Sequence, residues 1–253
     1  MSSNVHNRRR ISHMVSPLFV FTDGTQGYTM CGRYMIVSSG EELRRRFQVR
    51  ESAGVERYNA APLQMLPVVR REENENRIAL LRWGLTPSWA TEDFGGRIIN
   101  ARAETVHERP SFRHLLRHRR CLVPATGFYE WLKHPNGRFP FRFSLRDEAL
   151  FSMAALWDEW YNPTTGEILQ SFAIITVPAN ALVARIHDRM PALLSRESES
   201  LWLDINAPLA DVLLCLRPYP AEAMVCTPAS RRLNNPRYDD ASVLTPEEIP
   251  PLP

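Results

Sequence analysis

The chain has 253 residues, 44% of them hydrophobic, and its 31 Lys and Arg against 28 Asp and Glu leave a net charge of +3. That length can bury one large core, and no apolar run approaches the roughly 20 residues of a membrane span, so one soluble globular domain is expected and a membrane-spanning helix is excluded. Four scattered cysteines (Cys31, Cys121, Cys215, Cys226) include no CxxC pair, which argues against a zinc centre or a disulfide framework and for the cytoplasm.

Residues 1–29 stand apart as an N-terminal extension. They carry a basic cluster (Arg8, Arg9, Arg10) and a short apolar patch broken by His13, Ser16 and Pro17, without the apolar core and cleavage site of a signal peptide. A domain pattern begins at Met30 and is expected to span 30–253. "RYMIV" reads as a strand and "SSGEELRRRF" as a helix, with Ser38 and Glu41 at capping-box spacing. "QMLPVVRR" and "RIALLRWGL" read as strands, and "SFRHLLRHRR" as a helix. "CLVPATGFYEWLK" and "RFPFRFSL" flank Asn136-Gly137, a hairpin signal. "ALFSMAALWDEW" and "ILQSFAIITV" flank "NPTTGE" in the same manner. "NALVARIH" and "SRESESLWLDI" read as helices, the second capped by Ser195. Strands arriving in hairpins, with helices between and after them, define an α+β class with a mixed or antiparallel sheet core and peripheral helices. Twenty prolines against eleven glycines fit that β-rich reading.

Thirty of the 31 cations are Arg; the single Lys is Lys133, beside the turn-like "HPNG". Coding bias explains this as well as a need for phosphate-matching guanidinium groups does. Either way, imine chemistry, which ordinarily uses a Lys amine, needs another amine here.

Four places carry more polar chemistry than packing needs. In "IINARAET", Asn100, Arg102 and Glu104 alternate with alanines, sharing one face of a strand end. Glu130 lies between Tyr129 and Trp131 in an apolar strand, where an unpaired carboxylate is costly to bury, although a solvent-facing Glu suits the same pattern. His187, Asp188 and Arg189 precede a proline-marked break, where a helix-end cap is the plain alternative. Trp83 and Trp89 bracket a Gly/Pro turn; Trp83 suits the core and Trp89 the surface.

The blocks "MCGRY", "YNAAP", "RWGLTPSWA", "INARAET", "CLVPATGFYEW", "AALWDEW", "FAIITVPAN" and "IHDRMPALL" occur in that order from Met30. This set resembles the SRAP family, SOS-response-associated peptidase-like proteins that cross-link to abasic sites in single-stranded DNA. The resemblance implies a barrel-like fold, monomeric and needing no cofactor or metal, working in the cytoplasm and on the nucleoid when bound to DNA. It implies that Cys31, exposed as the mature N-terminus by a start at Met30 or by cleavage before Cys31, is the cross-linking residue. An N-terminal Cys offers an amine and a thiol, which close a thiazolidine ring with an aldehyde; neighbouring Arg or protonated His is expected to enrich the thiolate. By the same resemblance Asn100 orients sugar and Cys, Glu130 assists proton transfer, and His187 helps open the sugar ring. Arg33, Arg102 and Arg189 suit phosphates, with Asn59 and Thr176 as further DNA contacts and Trp89 stacked near the lesion. Two other readings share these residues: a Cys-His peptidase, and a non-covalent single-strand binder.

Overall fold

Thirteen strands form among the described residues, 31–247, of the computed structural model. The extension 1–29, Met30 and residues 248–253 lie outside them. The order is β1 (Tyr34–Ser38), α1 (Gly40–Phe47), β2 (Val55–Ala60), β3 (Met65–Glu72), β4 (Glu75–Trp83), β5 (Asn100–Arg102), α2 (Leu115–His118), β6 (Arg120–Ala125), β7 (Gly127–His134), β8 (Gly137–Leu145) and β9 (Phe151–Tyr161). Then follow β10 (Ile168–Pro178), β11 (Arg189–Pro191), β12 (Leu193–Leu194), α3 (Arg196–Leu203), α4 (Leu209–Leu214) and β13 (Met224–Pro228). The longest consecutively buried runs are those of β6, β7, β9 and β10.

Strands β10, β4, β3, β6 and β9 pair in that order, and β9 pairs back to β10, closing a five-stranded barrel. It is mixed because β4 and β5 run parallel to β10. A second sheet, β13-β8-β7-β1-β2, is antiparallel. The chain crosses between the two at Thr126, one residue separating β6 from β7, whose N–H donates to Met35 O at 2.7 Å. One apolar core joins both sheets. Tyr34 meets Trp83 edge-on at 5.3 Å, Trp83 stacks with Phe172 at 6.3 Å and Phe128 with Phe143 at 5.1 Å. Among the described residues no helix is long and apolar enough to cross a membrane.

Several expected elements form with altered ends. The capping box of α1 uses Ser39 and Glu42, one residue later than expected, because Ser38 remains paired in β1. The helix expected in "SFRHLLRHRR" shrinks to the four residues of α2: Arg119 O already accepts from Trp157 and Arg120 enters the barrel wall. "NALVARIH" yields only the 3-10 turn Val183–Arg185. Asn180 Oδ1 accepts from the N–H groups of Leu182 and Val183, and Ala179 N donates to Asp188 O, so both ends are pinned too closely for an α-helix. The β7–β8 and β9–β10 hairpins form as expected, as does α3 with its Ser195 cap.

Candidate active site

Cys31 enters β1 three residues before its first paired position, against the middle of β7. Tyr129 N donates to Arg33 O at 3.1 Å, which continues the register of Tyr34 opposite Phe128 and brings Cys31 within reach of the Glu130 side chain. The Cys31 backbone N–H donates to Glu130 Oε1 at 2.9 Å, with both residues only 2% exposed. The solvent-facing alternative for Glu130 is therefore excluded. Burial pushes the Glu130 carboxyl up to about 8, against lowering by the Cys31 N–H, the Cys31 thiol and Arg138. The Cys31 thiol is itself raised well above its ordinary range, by burial first and then by the charge and hydrogen bond of Glu130. The expected enrichment of thiolate by neighbouring cations is thus reversed, since a carboxylate is the charged group facing this sulfur.

Strand β10 assembles the other components. Its upper half holds β5 on one side, with Ile174 opposite Asn100 and Thr176 opposite Arg102, and β11 on the other, with Pro178 opposite Arg189. Asn100 is half-buried; its neighbour Ile99 abuts Gly32, where an added Cβ would lie 3.9 Å from Ile99 Cδ1. His187 is partly buried, and its Nδ1 accepts the Arg189 N–H at 3.1 Å while lying 3.0 Å from Asp188 Oδ1. Burial lowers its pKa, with Asp188 opposing. A neutral ring that accepts at Nδ1 carries its proton on Nε2. Both Asp188 and Arg138 act electrostatically on His187 and on Glu130, which ties the two groups into one site.

Beside Cys31 opens a cleft of about 390 Å³ lined by Gly32, Arg33, Pro62, Trp131, Arg138 and Asn234. Burial and then the like charge of Arg138 lower the pKa of Arg33. Its buried Nε meets no hydrogen-bond acceptor among the described residues. Two guanidinium groups facing one cleft suit an anion. The part of Arg138 is legible only from hairpin register, which sets it opposite Lys133 and diagonal to Trp131.

Arg102 is exposed. Trp89 is 58% exposed and meets Phe94 edge-on at 5.8 Å, on a loop fixed by Ser88 N to Asp158, Trp160 Nε1 to Ala90 O and Arg82 to Asp93. Gly84 and Gly96, both at positive φ, allow the close approach at the base of that loop: a Cβ on Gly84 would lie 2.7 Å from Gly96 Cα. The other three expected DNA contacts point inward. Asn59 and Thr176 have no exposed surface, and the Arg189 guanidinium pairs with both oxygens of Glu104 and donates to Thr176 O. A DNA contact from any of these three requires a change from this arrangement. Among the described residues no group of His, Cys, Asp and Glu is placed to hold a metal ion.

The candidate site is thus a mixed β-barrel carrying a buried cysteine at the head of a strand, a carboxylate that accepts from its nitrogen, and an amide and a histidine at the strands on either side of β10. The family model SOS response associated peptidase (SRAP) matches residues 30–236, and the chain belongs to this family. Among similar proteins is abasic site processing protein YoqW of Bacillus subtilis (strain 168), 37% identical over 85% of this chain and 99% of the relative. Abasic site processing protein HMCES of Gallus gallus is 30% identical over 87% of this chain and 79% of its own length. A solved structure from Bacteroides thetaiotaomicron superposes with a TM-score of 0.79 at 27% identity, covering 86% of this chain and all of that one.

Proposed function

We propose that this protein captures abasic sites in single-stranded DNA by a covalent bond to Cys31 as its N-terminal residue. Relatives described as abasic site processing proteins support the substrate. The observation that carries the chemistry is the 2.9 Å contact between the Cys31 nitrogen and the Glu130 carboxylate in a desolvated site.

An unperturbed α-amine titrates at about 8, in the range to which burial raises Glu130. The pair then titrates as a unit, with the α-ammonium favouring the ionised carboxylate. Glu130 takes a proton from the ammonium, and the free amine adds to the C1′ aldehyde of the ring-opened sugar. The protonated carboxyl returns that proton to the departing hydroxyl, so water leaves and an iminium forms. The thiol sulfur then bonds to the iminium carbon and passes its proton to Glu130. One thiazolidine and one water result. A thiol kept protonated until this step suits an order in which the amine reacts first. Neutral His187, with its proton on Nε2, supplies a donor for the sugar ring oxygen during opening, and Asn100 holds the sugar against Cys31. Arg33, Arg102 and the cleft cation Arg138 attract phosphates; Arg189 joins them if Glu104 shares its guanidinium.

The mature chain starts at Cys31 in this reading, since an amide nitrogen cannot form an imine. Cys31 has φ +36°, a left-handed conformation that strains a residue with a Cβ; removing Met30 ends that restraint. Proteolysis of other substrates is not proposed: a Cys-His peptidase needs a thiolate beside an imidazolium, and Glu130 opposes that thiolate.

The test is a denaturing gel. Protein with a confirmed N-terminal Cys31 should shift single-stranded DNA that carries an abasic site and leave undamaged DNA of the same sequence unshifted. Absence of a shifted band overturns the reading.

A further inference from the structure

The segment 229–247 wraps across the second, antiparallel sheet and closes on itself. Ser230 Oγ donates to Glu247 Oε1 at 2.6 Å, and Ser230 N to Val243 O at 2.9 Å. Strand alternation puts Tyr129 and Trp131 on the face of β7 opposite Glu130. On that face Ala229, Leu233 and Val243 form a small second core with Met35, Tyr129 and Trp131. The segment also covers the open edge of β2, whose N–H groups would otherwise lack partners. Asp239 Oδ1 accepts from Tyr58 N and Asn59 N at 2.7 Å each, and Oδ2 from Arg57 at 2.8 Å. Buried Asn59 answers by donating Nδ2 to Asn235 O and Tyr238 O. Between these anchors Asn234, exposed on its outer side, accepts the Trp131 indole N–H at Oδ1, 2.7 Å away, and lines the cleft beside Cys31 with Trp131 and Arg138.

We propose that segment 229–247 is a clamp and that Asn234 is a positioning residue for DNA, acting through Trp131. Asp239 and Asn59 hold the clamp on the edge of β2; Asn234 fixes the indole that floors the cleft; the guanidinium of Arg138, 5.6 Å from the ring centre, rests over that floor. The clamp sets the shape of the cleft that receives the strand next to the lesion, which gives Asn59 an internal role. This rests on the reading that the cleft receives DNA, but not on the covalent step.

A double-mutant cycle tests it, with two readouts: the affinity for an undamaged single strand, and the half-saturating concentration for capture of the same strand carrying an abasic site. Asn234→Leu should raise both constants about tenfold, the factor of one lost part-buried hydrogen bond that leaves the indole N–H unpaired, while the saturated capture rate moves far less. Trp131→Phe removes the same bond from the other side and keeps the test decisive if Asn234→Leu does not fold. The double variant should be no worse than the poorer single one. Multiplying effects, about a hundredfold in the double variant, would mean independent structural roles and overturn the proposal; so would unchanged constants in a folded single variant. If wild-type protein binds the strand but forms no cross-link, the covalent reading fails while the affinity readout still decides the clamp.

Discussion

The nitrogen of Cys31 lies 2.9 Å from Glu130 Oε1 across 99 positions of sequence, and the same carboxylate faces the Cys31 thiol. Glu130→Gln keeps an acceptor for the nitrogen but cannot carry a proton. Cross-linking by the mature chain should slow by about 10²-fold or more, with affinity for single-stranded DNA nearly unchanged. A wild-type rate in stopped-time gels would remove Glu130 from the mechanism.

The same substitution has a pH signature in the chain that still carries residues before Cys31. There burial raises the Glu130 carboxyl to about 8, so between its ordinary range and pH 8 the folded state binds more protons than the unfolded one, and stability falls as pH rises. Glu130→Gln should therefore match wild type near pH 4.5 and exceed it increasingly up to pH 8, by on the order of 3–5 kcal/mol. Denaturant melts of both proteins across that range measure the difference. A constant difference would mean that Glu130 does not titrate there.

Thiol and amine separate in Cys31→Ala with a free N-terminus. This variant should lose the thiazolidine yet retain an imine that borohydride traps on abasic DNA. Stable cross-linking without reductant would show that the thiol is dispensable.

Phosphate contacts and the exposed tryptophan have different salt signatures. Arg33→Ala and Arg102→Ala should each flatten the log-log salt dependence of single-strand binding by about 0.7. Arg189→Ala should in addition cost ~1–2 kcal/mol of stability, because it strips Glu104 of its partner; that is less than for a fully buried pair, as Glu104 is half exposed. Trp89→Ala should cost about 1–3 kcal/mol of binding with the slope unchanged. Salt titrations with and without each substitution decide the assignments.

Maturation is tested by mass. Protein from its native host should begin at Cys31, and a variant with one glycine inserted between Met30 and Cys31 should lose the stable cross-link. If a chain retaining residue 30 still forms it, the amine is not the reacting group.

Local pattern carried much of this protein into view. The two long hairpins, the cap at Ser195, the buried Trp83 and the exposed Trp89 follow from side-chain alternation, turn chemistry and capping, which act over a few residues. The motif order from "MCGRY" to "IHDRMPALL" was enough to name the family, and the resemblance it carries is the source of the proposed set Cys31, Asn100, Glu130 and His187. Tertiary structure decided what pattern cannot encode. Alternation assigns Glu130 to one face of β7 but does not say whether that face meets water or Cys31; the pairing of β7 with β1 decides it. The state of the Cys31 thiol followed in the same way, because a pKa depends on the charges around a group and not on its neighbours in sequence. Arg189, Asn59 and Thr176 read as polar groups available to DNA, yet their partners Glu104, Tyr238 and Ala101 lie 85, 179 and 75 positions away. Such pairings form only when distant strands and the C-terminal segment pack together, where burial makes internal hydrogen bonds obligatory.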